Sequence, residues 1–262
     1  MLPKIETMTF EVEIPSTKQK IKMRCMKVRE EKILLAAKEG GDYGEILASV
    51  KQVVNNCVVP MTHPDQQVNI DDLAIFDIEY LFLKLRAKSV AETTEVAYID
   101  NDEVFTDMGD STDPVKLPIE QRKATYTFTI DLNKVEVKFP EKVEKNIKIS
   151  DKAGIVLGYP PAALYSDKEF MNAAGENLVD LLILKSIETI YDGPTISYNK
   201  KSKIPQEELK EFINNLDVKV YNKIREFFNN LPHLDYEIKY TNKNGKDRTI
   251  TLTSLTDFFT LA

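Results

Sequence analysis

Hydrophobic and polar positions alternate from Thr9 to Cys25, with Phe10, Val12 and Ile14 before a Pro15-Ser16-Thr17 turn and Ile21, Met23 and Cys25 after it. A period of two marks a half-buried strand, so residues 8–27 read as an amphipathic β-hairpin. The period then lengthens to that of a helix. Arg29 to Glu39 forms one helical segment, stopped by Gly40-Gly41,. A second runs from about Gly44 to Cys57, with Ile46, Leu47, Val50, Val53, Val54 and Cys57 at helical intervals ahead of Pro60,. The third, FDIEYLFLKLRAKSV from Phe76 to Val90, has Asn69 or Asp71 as candidate caps,.

This third helix carries two apolar faces. Leu73, Phe76, Tyr80, Leu83 and Ala87 make one, and Ile78, Phe82 and Leu85 make the other,. Two narrow polar lines separate them: Asp77 with Lys84 and Lys88, and Glu79 with Arg86. A helix apolar nearly all round is buried. The pattern predicts a spine pinned between helices and a sheet, with Phe82 and Leu83 buried on opposite sides and the charges emerging at the seams. The competing expectation is that one apolar face waits for a partner subunit.

Beyond residue 92 the texture becomes β-rich. Residues 92–99 and 123–139 are rich in Thr, Val, Tyr and Phe, with Tyr126, Phe128 and Ile130 alternating, then Val135, Val137 and Phe139; residues 146–157 add a further hairpin-like pair,. From Ser166 the helical period returns. Ser166 and Glu169 stand at capping-box spacing, and Phe170, Ala174, Leu178, Leu181, Leu182, Leu184 and Ile187 extend the pattern to about Tyr191,. Pro205 opens another helix, and Asp217 caps the next, which carries Val220, Tyr221, Ile224, Phe227 and Phe228,. The end is a hairpin through Tyr236, Ile238 and Tyr240, an Asn244-Gly245 turn, and Ile250 and Leu252,. Segregated elements predict an α+β fold: an N-terminal β-hairpin plus helices, a β-rich middle, then C-terminal helices plus a terminal hairpin. The segments fall at 1–92, 93–165 and 166–262, and together they can form one composite domain.

Composition narrows the function. With 42% hydrophobic and 29% charged residues the chain is globular, and a net charge of −7 argues against a nucleic-acid surface,. The Lys200, Lys201, Lys203 cluster reads as a solvated loop,. No apolar run approaches the ~20 residues that span a bilayer, and the start lacks a signal-peptide core, so a cytoplasmic protein without a membrane span is expected,. Cys25 and Cys57 read as small core hydrophobes, and His63 and His233 as structural residues without metal-ligating companions,. No nucleophile elbow and no glycine-rich phosphate loop is present,. Glu30-Glu31, Asp71-Asp72 and Glu207-Glu208 occupy first-turn positions that favour a helix N-terminus,. One enzymatic alternative remains, a metal-dependent hydrolase built on the acidic loop 100–113 with Asp100, Asp102, Asp107, Asp110 and Asp113. The EF-hand order fails there, because Val104 and Phe105 stand where an acid and a glycine belong,. No catalytic residue, cofactor or metal is expected.

Several stretches carry a resemblance. EIPST followed by a short strand and KVREEKILLAAKE, then VNNC, then FDIEYLFLKLRAKSV are similar to the N-terminal half of the baseplate hub assembly proteins of T-even-like contractile-tailed bacteriophages. EELKEFINNL, KIREFFNNLPHLDYEIKY and the hairpin leading into SLTDFF are similar to their C-terminal half. The order and spacing of these stretches carry the likeness, which is least distinctive at about 93–165. Some relatives have paired cysteines in hairpins; here YTNKNGKDRTITL has none, so no metal is carried over. The resemblance implies a non-enzymatic hub component or assembly factor whose partners are other hub or tail proteins, located in the host cytoplasm during assembly, with retention in the virion baseplate left open.

The terminal SLTDFFTLA raises a last expectation. Chain ends are usually frayed and polar, yet this one carries Leu255, Phe258, Phe259 and Leu261,. Either the segment folds back beneath the Tyr236–Leu252 hairpin, or Leu255, Asp257, Phe258 and Phe259 form a docking site for a hub partner, with Asp257 steering the contact.

Overall fold

The computed structural model describes residues 6–40, 43–60, 67–103, 123–200, 202 and 204–258. Strands β1 (Thr9–Glu13) and β2 (Lys20–Arg24) pair antiparallel, with Val12 opposite Ile21 and Phe10 opposite Met23. Alternation sends Val12, Ile21 and Met23 into the core and leaves Glu11, Glu13, Lys20 and Lys22 outside,. Helices α1 (Val28–Gly40), α2 (Tyr43–Cys57) and α3 (Ile75–Ser89) follow, each beginning and ending within about one residue of its apolar pattern,. Asn69 does cap, but what it caps is a 3-10 turn at Ile70–Asp72, where its side chain accepts from the Asp71 N–H. Helix α3 itself starts after Ala74.

Among the described residues the sheets are all antiparallel and small. β3 (Thr93–Glu103) pairs with β4 (Lys123–Asp131), and β5 (Glu136–Lys138) leaves them to join β10 (His233–Thr241) and β11 (Asp247–Leu252) in the order β11-β10-β5. β6 (Asn146–Lys148), β7 (Ala153–Leu157), β8 (Ile187–Asp192) and β9 (Thr195–Asn199) form a four-stranded meander. Between β7 and β8 lie α4 (Lys168–Asn172) and α5 (Glu176–Ser186); α6 (Gln206–Asn214) and α7 (Val218–Asn229) precede β10. The architecture is α+β, as the segregated pattern predicts.

Two further expectations change. The helical pattern read through to Tyr191 breaks at Ser186, whose hydroxyl turns back to donate to the Leu182 carbonyl at 2.7 Å. The chain then forms strand, because Ile187, Thr189, Ile190 and Tyr191 are β-formers and Asp192-Gly193 supplies a hairpin turn with Gly193 at φ 57°,. The N-cap of α4 is Asp167 and not Ser166: its carboxylate accepts from Glu169 N–H (3.0 Å) and Phe170 N–H (3.2 Å).

Buried apolar side chains gather into two clusters. The first joins β1–β2, α2, α3, β3–β5, β10–β11 and the segment after β11; the second joins β6–β9, α5, α6 and α7. Helix α3 is the spine of the first cluster, with Phe82 at 1% and Leu83 at 0% exposure. At its N-terminus α3 also holds the connector out of β7. Ile75 N–H donates to the Pro160 carbonyl (3.1 Å), and Ala162 N–H to the Leu73 carbonyl (2.7 Å). Tyr159 stands between the clusters, edge-on to Phe76 (5.1 Å) and stacked on Phe227 (6.3 Å).

Candidate functional site

The polar lines of α3 each end on a different neighbour. The Asp77 carboxylate accepts from the Ser16 N–H (2.9 Å) and hydroxyl in the β1–β2 turn and from the Ala74 N–H (3.1 Å). Burial pushes this carboxyl up, against the pull of those donors,. The Lys84 ammonium donates to the Leu132, Asn133 and Val135 carbonyls at 3.1, 2.7 and 2.8 Å, closing the loop between β4 and β5; burial brings it down to about 8. Glu79 faces the Leu255 N–H and the Tyr165 hydroxyl; burial raises it to about 7, those donors oppose the rise, and the nearby Asp257 adds to it. Lys88 reaches Glu92 at 3.4 Å, and Arg86 faces Glu31 on α1. The charges are fasteners. Asp77, Glu79 and Lys84 meet partners on neighbouring elements where an unpaired polar group would be costly, whereas the Lys88–Glu92 pair is open to solvent,.

Glu30 is a further fastener, of a kind its first-turn position did not disclose. Its carboxylate is fully buried and accepts from Arg24 (2.7 and 3.2 Å), from Arg29 (2.7 Å) and from the Lys27 N–H (2.8 Å). Burial alone would raise it, but the Arg24, Arg29 and Lys27 bonds outweigh that and hold it at about 2. Arg24 also donates to the Asn56 carbonyl (2.7 Å), so β2, α1 and the end of α2 meet at one ion pair. Alternation would have revealed Arg24 as the exception on an otherwise lysine-lined outer face. Asp71, by contrast, sits at the surface, bound by Lys51 at 2.6 Å.

Of the five acidic-loop aspartates, Asp100 and Asp102 lie within the described residues, and both are engaged by the terminal hairpin. Asp100 accepts from the Tyr240 hydroxyl (2.8 Å) and the Asn242 amide (3.3 Å). Asp102 accepts from Asn242 (3.0 Å), Lys246 (3.4 Å) and Arg248, whose guanidinium draws the carboxyl below its ordinary value. Asn242 in turn accepts from the Asn244 and Lys246 N–H groups, both at 3.0 Å, bracketing Gly245 at φ 74°. Tyr126, Phe128 and Tyr240 pack beside this network with ring centroids 4.9–6.1 Å apart. The arrangement clamps the β10–β11 turn onto the β3–β4 hairpin. Asp107, Asp110, Asp113, His63, Lys201 and Lys203 lie outside the described residues. Among the described residues, no group of three or more His, Cys, Asp or Glu side chains is placed to hold a metal ion.

The C-terminal docking candidates separate. Leu255 and Phe258 form a 3-10 turn and are each 2% exposed in the first core cluster, with Phe258 edge-on to Tyr236 at 6.4 Å. The Asp257 carboxylate accepts from the Thr253 (2.8 Å) and Ser254 (2.9 Å) N–H groups, fixing the entry to that turn. Phe259 lies outside the described residues. His233 is half-buried at the start of β10, its Nδ1 3.2 Å from the Leu231 carbonyl. No helix among the described residues is long and apolar enough to cross a membrane.

Compared with known proteins, the chain gives no significant match to a curated protein or to a solved structure. A family model does match, described as T4 bacteriophage base plate protein, and it takes in residues 6–260. That span includes both core clusters, the α3 spine and the clamped terminal hairpin. The chain therefore belongs to the T4 bacteriophage base plate protein family.

Proposed function

We propose that this baseplate protein is a non-catalytic component or assembly factor of the central hub, acting through protein–protein contacts. The family match over residues 6–260 carries the reading. The ordered stretches from EIPST to SLTDFF support the hub in particular, since their likeness is to hub assembly proteins. The side chains best suited to chemistry have structural occupations: Asp100 and Asp102 hold the last hairpin, and Asp77, Glu79 and Lys84 hold the spine. That use of Asp100 and Asp102 weighs against the metal-dependent hydrolase alternative. The protein works in the host cytoplasm while the baseplate is built.

The test is quantitative mass spectrometry on purified mature particles and on baseplate intermediates isolated from infected cells. Stoichiometric presence in both marks a permanent hub subunit, and presence in intermediates alone marks a transient factor. Absence from both overturns the reading.

A further inference from the structure

Among the described residues Val218, Ile196 and Ile99 are exposed singly, whereas four other exposed apolar side chains are gathered. Met8, Val28 and Val90 are 68%, 66% and 58% exposed. Hydrogen bonds bring their neighbourhoods together at the C-terminal end of α3. The Cys25 N–H donates to the Met8 carbonyl (2.9 Å), the Cys25 thiol to the Lys88 carbonyl (3.2 Å), and the Met26 N–H to the Ser89 hydroxyl (2.9 Å). Val28 follows Met26 by two residues, and Val90 follows Ser89 directly. Leu35, 53% exposed, stands seven residues beyond Val28, about two turns along the same face of α1,. The buried Glu30 and Ala37 occupy the opposite face. Single exposed apolar side chains are ordinary on a protein surface, but a contiguous set rimmed by polar residues marks a contact.

Charge identifies the contact. Residues 18–32 hold seven basic and two acidic residues, a net +5 in a chain of net −7. Lys22 is answered across the strands by Glu11, Lys20 and Lys18 by Glu13, Arg24 and Arg29 by Glu30, and Lys88 by Glu92. Glu31 faces Arg86, and beyond Leu35 the adjacent Lys38 and Glu39 cancel. Lys27 and Lys32 are left, both exposed, with no described residue pairing either ammonium. They flank Val28. A second copy docking through this same patch would bring identical lysines together, which disfavours a symmetric dimer.

We propose that the Met8–Val28–Leu35–Val90 surface docks another baseplate protein, one that presents apolar side chains inside an acidic rim. The inference rests on the baseplate reading and names its contact. The other baseplate proteins of the same phage, purified one by one, are immobilised and probed with the full chain, with Val28→Glu/Leu35→Glu and with Lys27→Glu/Lys32→Glu. All four replaced side chains are exposed, so thermal unfolding midpoints should match the parent, and a variant that fails this control is replaced by Val28→Ser/Leu35→Ser. Binding to at least one of these proteins is expected, weakened about tenfold or more by the apolar pair and by the lysine pair. The interaction should also weaken as salt rises toward about 0.5 M. Binding that all variants retain overturns the surface and leaves the baseplate reading standing; binding to none of these proteins overturns both. Self-association in the ultracentrifuge, or co-sedimentation with phosphatidylglycerol vesicles, abolished by the same pairs overturns the assigned partner.

Discussion

Raising the pH is expected to weaken the fold through one side chain. Glu79 is 9% exposed, and burial lifts its carboxyl to about 7 while the Leu255 N–H and Tyr165 hydroxyl oppose the rise. Its ordinary value is 4.5. The folded chain therefore holds this proton more tightly than the unfolded chain. Below the unfolded value both states are protonated and the group's favourable contribution is whole; it declines from there and is lost as pH passes through about 7. A difference of about 2.5 pKa units at 1.36 kcal/mol each gives roughly 3 kcal/mol. Other groups titrate over the same range, so the comparison is with Glu79→Gln, which keeps an acceptor and cannot ionise. Urea unfolding of both proteins at intervals from about pH 4.5 to 8 isolates the term. The parent should lose roughly 3 kcal/mol relative to the variant across that interval. At alkaline pH the Leu255 amide should also exchange faster in the parent than in Glu79→Gln. Parallel stability curves would refute the argument, because they would mean that Glu79 ionises in the folded chain as readily as in water.

Truncating Phe82 or Leu83 to alanine should each cost on the order of 2–5 kcal/mol in denaturant unfolding, since both are sealed in the core,; a loss below about 1 kcal/mol at either would show that its surroundings are loosely packed. Phe258→Ala should cost a similar amount because its ring is buried against Tyr236,. The double replacement Phe258→Ala/Phe259→Ala, read for fold stability and hub association separately, tests the C-terminal docking reading: intact folding with lost association supports it, and lost stability assigns the segment to the core. Calcium or magnesium should leave the thermal midpoint unmoved, as Asp100 and Asp102 already bind donors of their own chain. A divalent-ion stabilisation that disappears in Asp102→Asn would revive the hydrolase reading.

Much of the fold could be read from periodicity, and the exception has a geometric cause. Leu184, Ile187 and Ile190 continue an i, i+3 spacing across the helix-to-strand change at Ser186. In the structure Leu157 pairs with Ile187 while Val156 pairs with Thr189, so one step on β7 faces two on β8. That bulge places buried residues three apart on a strand, which a helical template reads as its own. The α3 spine was legible because two apolar stripes leave no room for a solvent face. The partners of its charges were not, since Lys84 binds backbone carbonyls that look alike in every sequence. Asp100 and Asp102 looked like loop acids for the same reason: their partners lie about 140 residues away. The Lys27–Lys32 surface escaped notice because lysines spaced along a hairpin and a helix do not form a run, and only the cross-strand pairs show which of them are neutralised.

The first core cluster draws on both ends of the chain. Val12, Ile21 and the α3 side chains pack with Leu234, Leu252, Leu255 and Phe258, while the second cluster is built wholly from residues in between. During synthesis the N-terminal hairpin and helices emerge long before the strands that cover them, and they must wait. A polypeptide released early would lack β10, β11 and the Leu255–Phe258 turn, leaving Glu79 without its backbone donor and the spine open on one side. Burial of the N-terminal hairpin and α3 thereby depends on strands that come much later in the chain, and a polypeptide that stops before them exposes apolar side chains to proteolysis,.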